Sequence, residues 1–507
     1  MSAARIRSLL LLLVVWPLKA LWAASVVAVP AIGVWVASST AAYRNGPVWL
    51  ACLCGLLLFP LLPLLWEGLG TWRRSRKGKP RPRILTFFDR LILRTLVINL
   101  GVLAVLLARD PETTFAALST RGDWFLDGRE GPRVDRARAG LFFAADRLQW
   151  LYEAVHDNAY EEVLRDEVPP PPRPEPVPED SKPGTKVEPV PTPVPTPVPT
   201  PTPETPTPTP TPQFAWPMPD RLHPLVVGMP AEAEASIAAV GKYIAEREPD
   251  RRMRIKALHD YVADRVVYDG ASYMARGEPD FVFPPQDAET VFRKRLGVCA
   301  GYARLLAALG DAAGEEIVVV GGDARTRGSD VTGESHAWNA ARIDDTWHLI
   351  DSTWDSGSLD DRGNFKKAYS TAYLFAPPEV FAVSHFPEQE NWQLLAKPRS
   401  RGEFFRGPMM RADFFAQGLE LIRPDRSQVS VDEVFELAVK NPRGLFFMAK
   451  FVSPNGTSGD CEVTQGKTAA ARCTLPAAGT YQVDLYAAPQ RYGSYPNVGA
   501  FEVLRRD

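Results

Sequence analysis

A run of proline and threonine-proline repeats from residue 168 to residue 212 constrains this chain more than any other feature. Such a run buries no core and extends as polyproline II, so whatever lies on either side must find its own core. At about 3.1 Å per residue it would reach roughly 140 Å. The expectation is a rod that carries the C-terminal part far from its N-terminal anchor. The 507-residue chain holds 48 prolines, clustered here, while its 13 tryptophans and 24 phenylalanines suffice for real cores elsewhere. A net charge of −2 gives no global field toward nucleic acid or acidic surfaces.

Ahead of the rod lie apolar runs at residues 9–36, broken chiefly by Pro17 and Lys19, at 48–66, and at 91–107, with Asp89, Arg90 and Arg94 at the entrance of the last. Each is about long enough to cross a hydrocarbon core of roughly 30 Å. A cleaved signal peptide is the alternative for the first run, but it is too long for one and two further runs follow. An interfacial helix followed by a span is a second alternative. The reading is a membrane region at 1–108 with three spans. Arg73, Arg74, Arg76, Lys77, Lys79, Arg81 and Arg83 lie between the second and third runs, Arg5 and Arg7 precede the first, and only Arg44 separates the first from the second. The positive-inside rule puts the N-terminus and the 73–83 loop in the cytoplasm. The chain is then a multi-pass protein of the cell (inner) membrane, in contact with the lipid bilayer. Its C-terminal domains stand in the periplasm of a Gram-negative cell, or outside the cell.

Residues 109–167 read as an extracytoplasmic helical segment, from the spacing of Leu141, Phe142, Phe143, Leu148, Leu151, Tyr152 and Val155. A stalk base or an oligomerisation helix is all that this pattern suggests. Residues 168–216 form the linker and 217–397 a domain of mixed helix and strand. Residues 398–507 hold short alternating runs, such as 435–439, 446–452 and 481–486, that read as a small β-sandwich.

The chemistry concentrates in the 217–397 domain. Gly297 breaks one helix, and Ala300, Ala303, Leu306 and Leu309 open another that Gly314 caps, so Cys299 stands at a helix N-terminus. Helix-terminal N–H groups favour a thiolate and can hold an oxyanion formed beside the sulfur. A buried structural cysteine is the plain alternative. Further on, His336-Ala337-Trp338-Asn339 leads through Ile343 to Asp344-Asp345 and on to Asp351. With Asp344 and Asp345 as a two-residue hairpin turn, Ile343 pairs with Thr346, Trp338 faces Asp351, and His336 faces Thr353. His336 and Asp351 then share a face as diagonal neighbours, roughly 7–8 Å apart at the backbone. A carboxylate so placed orients an imidazole that serves a nucleophile. A one-residue slip would put the two on opposite faces.

The blocks Gly297-Val298-Cys299-Ala300-Gly301-Tyr302, His336-Ala337-Trp338-Asn339 and Ile350-Asp351-Ser352-Thr353-Trp354-Asp355 resemble the three core motifs of the transglutaminase-like superfamily, in that family's order. The segments Tyr373-Leu374-Phe375-Ala376-Pro377-Pro378-Glu379, Ser384-His385-Phe386-Pro387 and Trp392-Gln393-Leu394-Leu395 are similar to its kyphoscoliosis-peptidase branch. The resemblance implies a papain-like α+β core followed by an Ig-like β-sandwich. It implies thiol chemistry on protein or peptide amides, with Cys299 as nucleophile, His336 as general base and acid, and Asp351 as the orienting carboxylate. A cysteine peptidase or amidase is the first expectation, a crosslinking acyltransferase the second, and a non-catalytic envelope scaffold the third. The motifs do not identify an oxyanion-hole side chain: Gln286 would serve by residue type only, and a loop glutamine is the plainer reading.

Cys461 and Cys473 lie in the terminal β region and would pair in an oxidising compartment. Cys52 and Cys54 lie inside the second span. That leaves Cys299 as the one unpaired thiol outside the membrane. The sequence has no His-Glu-x-x-His, no Cys-x-x-Cys, no EF-hand loop and no phosphate-binding glycine loop, so neither metal nor cofactor is expected. Basic residues outside the 73–83 loop are dispersed, which gives no nucleic-acid patch.

Overall fold

The computed structural model describes residues 16–46, 48–77, 85–129, 131–153, 216–276, 278, 280–325, 333–360 and 362–506. The expected multi-domain layout is present: apolar N-terminal helices, an α+β core and a C-terminal all-β region. The whole proline run, and residues 9–15, 155 and 78–84 of the segments discussed above, lie outside the described residues.

Three stretches are long and apolar enough to cross a membrane, Ala20–Tyr43, Val48–Arg76 and Phe87–Arg109. The first belongs to α1 (Trp16–Tyr43), which continues past the expected end at residue 36. In these added turns Ser38 and Thr40 satisfy their hydroxyls by turning them back onto the Trp35 and Val36 carbonyls. The second is α2 (Val48–Leu56) joined to α3 (Leu62–Arg76) through a kinked turn at Pro60, which has no N–H to give to the ladder. From the third, α4 (Phe87–Arg109), Asn99 sends its amide to the Leu58 carbonyl beside that kink. Glu67 is buried among Arg74, Arg90 and Arg94, so no lone charge is left at that end of the helices.

Residues 111–153 are neither a stalk nor a free helix. They form α5 (Pro111–Arg121) and α6 (Pro132–Asp146), with a short turn at Trp150–Glu153. Helix α5 packs on α1, where the Trp35 indole donates to the Gly122 carbonyl at 2.7 Å. On its other side Phe115 joins Phe386, Phe404 and Phe405 from beyond the proline run. Polar contacts extend this seam: Arg406 donates to the Ser119 carbonyl at 2.6 Å and Asn45 to Glu502 at 2.9 Å. The C-terminal part is thus docked against the N-terminal helices, while the rod expected at 168–212 lies outside the described residues.

The α+β core places α7 (Ile237–Arg247), α8 (Arg251–Arg265), α9 (Ala288–Lys294) and α10 (Cys299–Ala313) against a five-stranded antiparallel sheet. Its strands are β1 (Ile317–Ala324), β2 (Glu334–Ile343), β3 (Thr346–Ile350), β4 (Leu374–Ala376) and β5 (His385–Pro387), in the order β4-β3-β2-β1-β5. Helix α10 is apolar along most of its length and lies centrally, with Tyr302, Leu305, Leu306 and Leu309 buried against Ile255, Tyr261 and Ile317.

Helix α11 (Pro378–Ser384) and α12 (Arg401–Arg406) lead to the β region. There β6 (Val434–Lys440) and β8 (Thr468–Thr474) belong to one sheet, and β7 (Phe446–Val452), β9 (Gly479–Ala488) and β10 (Asn497–Arg505) to another. Alternate residues of both sheets, among them Phe435, Leu437, Phe447, Ala449, Val483 and Phe501, meet in one core. Cys461 and Cys473 form the expected disulfide, between neighbouring strands of the first sheet.

Asp123 is fully buried between Arg138 at 2.7 Å and Arg426 at 3.1 Å. Burial alone would raise its pKa, but Arg426 and Arg138 outweigh this and hold it below the usual carboxylate range. Asp123→Ala leaves two arginines facing each other across the seam and should cost about 3 kcal/mol. Thermal melting of the purified full chain checks this, and an unchanged melting temperature would refute the docked arrangement.

Candidate active site

Helix α9 ends at Arg295, whose φ of 55° turns the chain. The expected breaker, Gly297, lies instead in a two-residue parallel pairing of Leu296–Gly297 with Val267–Tyr268. Val298 then caps α10, and Cys299 is its first residue. The capping amide is held from behind, since the Val298 N–H donates to Gln286 Oε1 at 2.9 Å. The Gln286 amide nitrogen in turn donates to the Pro284 carbonyl at 2.9 Å, so this side chain fixes the helix start. Gly301 permits that approach, because a Cβ there would stand 2.6 Å from Gln286 Oε1. Cys299 is 1% exposed and packs with Ala337, behind a wall that includes Tyr268 and Phe283.

The hairpin of β2 and β3 turns at Asp344 and Asp345, with φ of 47° and 61°, and pairs Ile343 with Thr346 as the sequence predicts. The ladder runs to Asn339 opposite Ile350 and stops. The expected pairs Trp338–Asp351 and His336–Thr353 do not form, because the chain leaves the strand after Ile350. The Asp351 N–H goes to the Tyr373 carbonyl at 3.1 Å, and Asp351 Oδ1 accepts from the Thr353 and Trp354 amides at 2.9 and 3.2 Å. This turn swings the carboxylate toward His336, giving Nε2 to Oδ2 at 2.8 Å. His336 also stands close enough to Cys299 for the sulfur to act on the charge of the imidazole. Cys299, His336 and Asp351 are thus brought together, and all three are buried.

Burial pulls the His336 pKa down, but the Asp351 carboxylate, the hydrogen bond to it and the Cys299 sulfur outweigh this and push it up to about 10. Burial likewise opposes ionisation of Asp351, yet His336 and His385 hold it well below the usual carboxylate range. At neutral pH the pair is an imidazolium on a carboxylate, with a positive charge beside the Cys299 sulfur.

Several residues around the site have no sequence signal of their own. Asn339 donates to the Ala303 and Val318 carbonyls at 2.9 and 3.1 Å, tying α10 to the sheet. Its place within the His336 block was the only hint. His259 and Asp355 form a second buried pair at 3.2 Å, with Asp260 at 3.0 Å on the other imidazole nitrogen. Asp355 also accepts from the Tyr373 amide at 3.1 Å and sends its own N–H to the Asp351 carbonyl at 3.2 Å, which braces the loop that carries Asp351. His385 reaches Asp351 Oδ2 at 3.2 Å. His336, Asp351 and His385 bring possible metal-ligating atoms within 4.8 Å of one another, a grouping that sequence spacing did not disclose. The 2.8 and 3.2 Å separations are shorter than the roughly 3.3 Å between ligands on a tetrahedral zinc with bonds of about 2.0 Å, and they read as hydrogen bonds.

Residues 238–352 match the family described as the transglutaminase-like superfamily. The kyphoscoliosis peptidases of Mus musculus and Homo sapiens are each 31% identical over 182 residues, 35% of this chain and 27% of theirs. The chain therefore spans about a quarter of the length of these curated relatives. A solved structure titled "Crystal structure of a TGase" is 22% identical, with a TM-score of 0.21, over 26% of this chain and 34% of its own. The core is a transglutaminase-like domain. Over the matched residues its sequence is similar to the kyphoscoliosis peptidases.

Burial lowers the His259 pKa, but Asp260 and Asp355 raise it further, to about 9 from 6.5. A pKa raised by folding adds stability that is complete below pH 6.5 and is lost as pH climbs through about 9. The melting temperature should fall across that window, and His259→Gln should flatten the fall when melting is followed from pH 6 to about 10.

Proposed function

We propose that this chain is a membrane-anchored, extracytoplasmic thiol enzyme that acts on protein or peptide amides through Cys299, His336 and Asp351. The observation that carries the reading is His336, buried with Cys299 and hydrogen-bonded to Asp351 at 2.8 Å, so that one imidazole lies within electrostatic reach of the sulfur and is oriented by the carboxylate. The Cys299 thiolate attacks an amide carbonyl and forms a C–S bond. The oxyanion lies at the start of α10, where the Cys299 and Ala300 amides precede the first intrahelical bonds, those from Gly301 and Tyr302 to Val298. Collapse breaks the C–N bond as His336 gives its proton to the departing amine, leaving a thioester. Water, deprotonated by His336, then releases the acid and restores the thiol in a peptidase or amidase.

An amine acceptor resolving the same thioester gives transglutaminase-type crosslinking. The burial of Cys299 keeps this second reading in view, since a thioester shielded from bulk water goes to whichever nucleophile is bound. The printed name of the peptidase relatives favours hydrolysis, as an analogy.

Extracytoplasmic placement draws support from Arg73, Arg74 and Arg76 at the end of α3 and from the disulfide. We read the all-β region as an Ig-like sandwich, supported by Tyr481, whose hydroxyl donates to the Ala477 carbonyl at 2.9 Å near the start of β9.

With iodoacetamide at neutral pH, His336→Ala should slow alkylation of Cys299 about tenfold or more, read by peptide mass spectrometry of the full chain. Equal rates in the two proteins would remove the catalytic reading. Protease added to intact spheroplasts should digest the chain beyond Pro212, whereas full protection would mean that the orientation is reversed.

A further inference from the structure

The Asp351 carboxylate accepts four hydrogen bonds and has about four acceptor positions. Oδ1 takes the Thr353 and Trp354 amides, and Oδ2 takes His336 and His385. Three of these donors belong to the superfamily motifs or their turn. The fourth, His385, lies outside those three motifs, and the catalytic reading gives it no task.

The sheet brings it there. On one side of β1, Gly322 pairs with His336, and on the other side Ala324 pairs with His385. Two residues along β1 is one side-chain repeat, so the two imidazoles lie over the same face, with ring centroids 5.4 Å apart. His385 is caged by Phe381 at 4.1 Å, Trp354 at 4.5 Å, Trp338 at 5.1 Å and Tyr373 at 5.3 Å between centroids. It is 1% exposed, and no solvent replaces its hydrogen bonds.

We propose that His385 is a positioning residue for the thiol chemistry: as a neutral imidazole it donates its Nε2–H to Asp351 Oδ2 and so holds the carboxylate in the one orientation that aims His336 at Cys299. The proposal rests on the catalytic reading given above and deepens it. The proton sits on Nε2 because Asp351 can only accept, which leaves Nδ1 of the neutral ring to accept from the Ser384 hydroxyl at 2.9 Å. Burial, with the positive His336 nearby, lowers the His385 pKa to about 4, although Asp351 opposes the shift. One imidazole on the carboxylate therefore carries charge and the other does not. Without the neutral one, Oδ2 keeps a single donor, and the carboxylate is held only by His336 and the two amides on Oδ1, with less to keep it aimed at His336.

Donor and packing roles predict opposite rankings, so two substitutions separate them. His385→Phe keeps the ring in its cage and loses the donor, whereas His385→Gln keeps an N–H and loses the ring. The full chain in detergent is treated with limiting iodoacetamide at neutral pH, and Cys299 labelling is followed by peptide mass spectrometry, with thermal melting recorded for each protein. The expected result is labelling about tenfold slower in His385→Phe, near wild type in His385→Gln, and intermediate in Ser384→Ala, whichever of the first two melts lower. Ser384→Ala also serves where a buried His385 variant does not fold. Fast labelling in His385→Phe with slow labelling in His385→Gln, or wild-type labelling in Ser384→Ala when neither His385 variant folds, overturns the proposal. His336→Ala runs alongside. If it slows labelling and the His385 and Ser384 variants do not, the positioning role falls while the catalytic reading stands; if His336→Ala also has no effect, both fall.

Discussion

Everything at the candidate site depends on keeping one carboxylate ionised where water does not reach. Asp351 is fully buried, and an isolated buried charge is too costly to persist. The surroundings answer with backbone amides on one oxygen and two imidazoles on the other. The turn after β3 exists to present those amides. The register of β1 delivers one imidazole from each side, and the His259–Asp355 pair holds the far end of the same loop. Local geometry that looks incidental, a strand that stops at Ile350, follows from that demand.

What the sequence disclosed was local. Two consecutive aspartates set the hairpin turn and hence the register from Ile343 and Thr346 to Asn339 and Ile350. Apolar spacing and Gly314 set the extent of α10, and alternation set the strands of the terminal region. The His336–Asp351 contact was anticipated for a partly wrong reason, since a turn and not a continued ladder brings them together. The failures were of a different kind. Helix α5 carries buried side chains over most of its turns because it is covered on two sides, by α1 and by residues hundreds of positions away. No periodicity in a single segment reports such partners. The left-handed Arg295 and the shared acceptor of His385 were hidden for the same reason, since each is imposed by what packs around it.

The membrane region shows the same division. Length and hydropathy located the apolar runs, but not the carbonyl partners that hydroxyl and amide side chains find within the helices. Ser38 and Thr40 turn back onto carbonyls of α1, and Asn99 meets the kink at Pro60. Such contacts are favoured where apolar surroundings offer no other partner for a freed carbonyl.

The docked seam between α5, α6 and the chain beyond the proline run has a thermodynamic consequence. Its two halves are covalently joined through the sequence between Glu153 and Trp216, so closing the seam is an intramolecular event. Covalent linkage supplies an effective concentration on the order of a millimolar. Halves that would bind each other with a dissociation constant of about 1 mM, or roughly −4 kcal/mol, would already divide evenly between joined and parted states. Each further 1.4 kcal/mol of contact multiplies the joined population about tenfold, so a change at a single ion pair such as Asp123–Arg426 is enough to tip the balance between joined and parted halves.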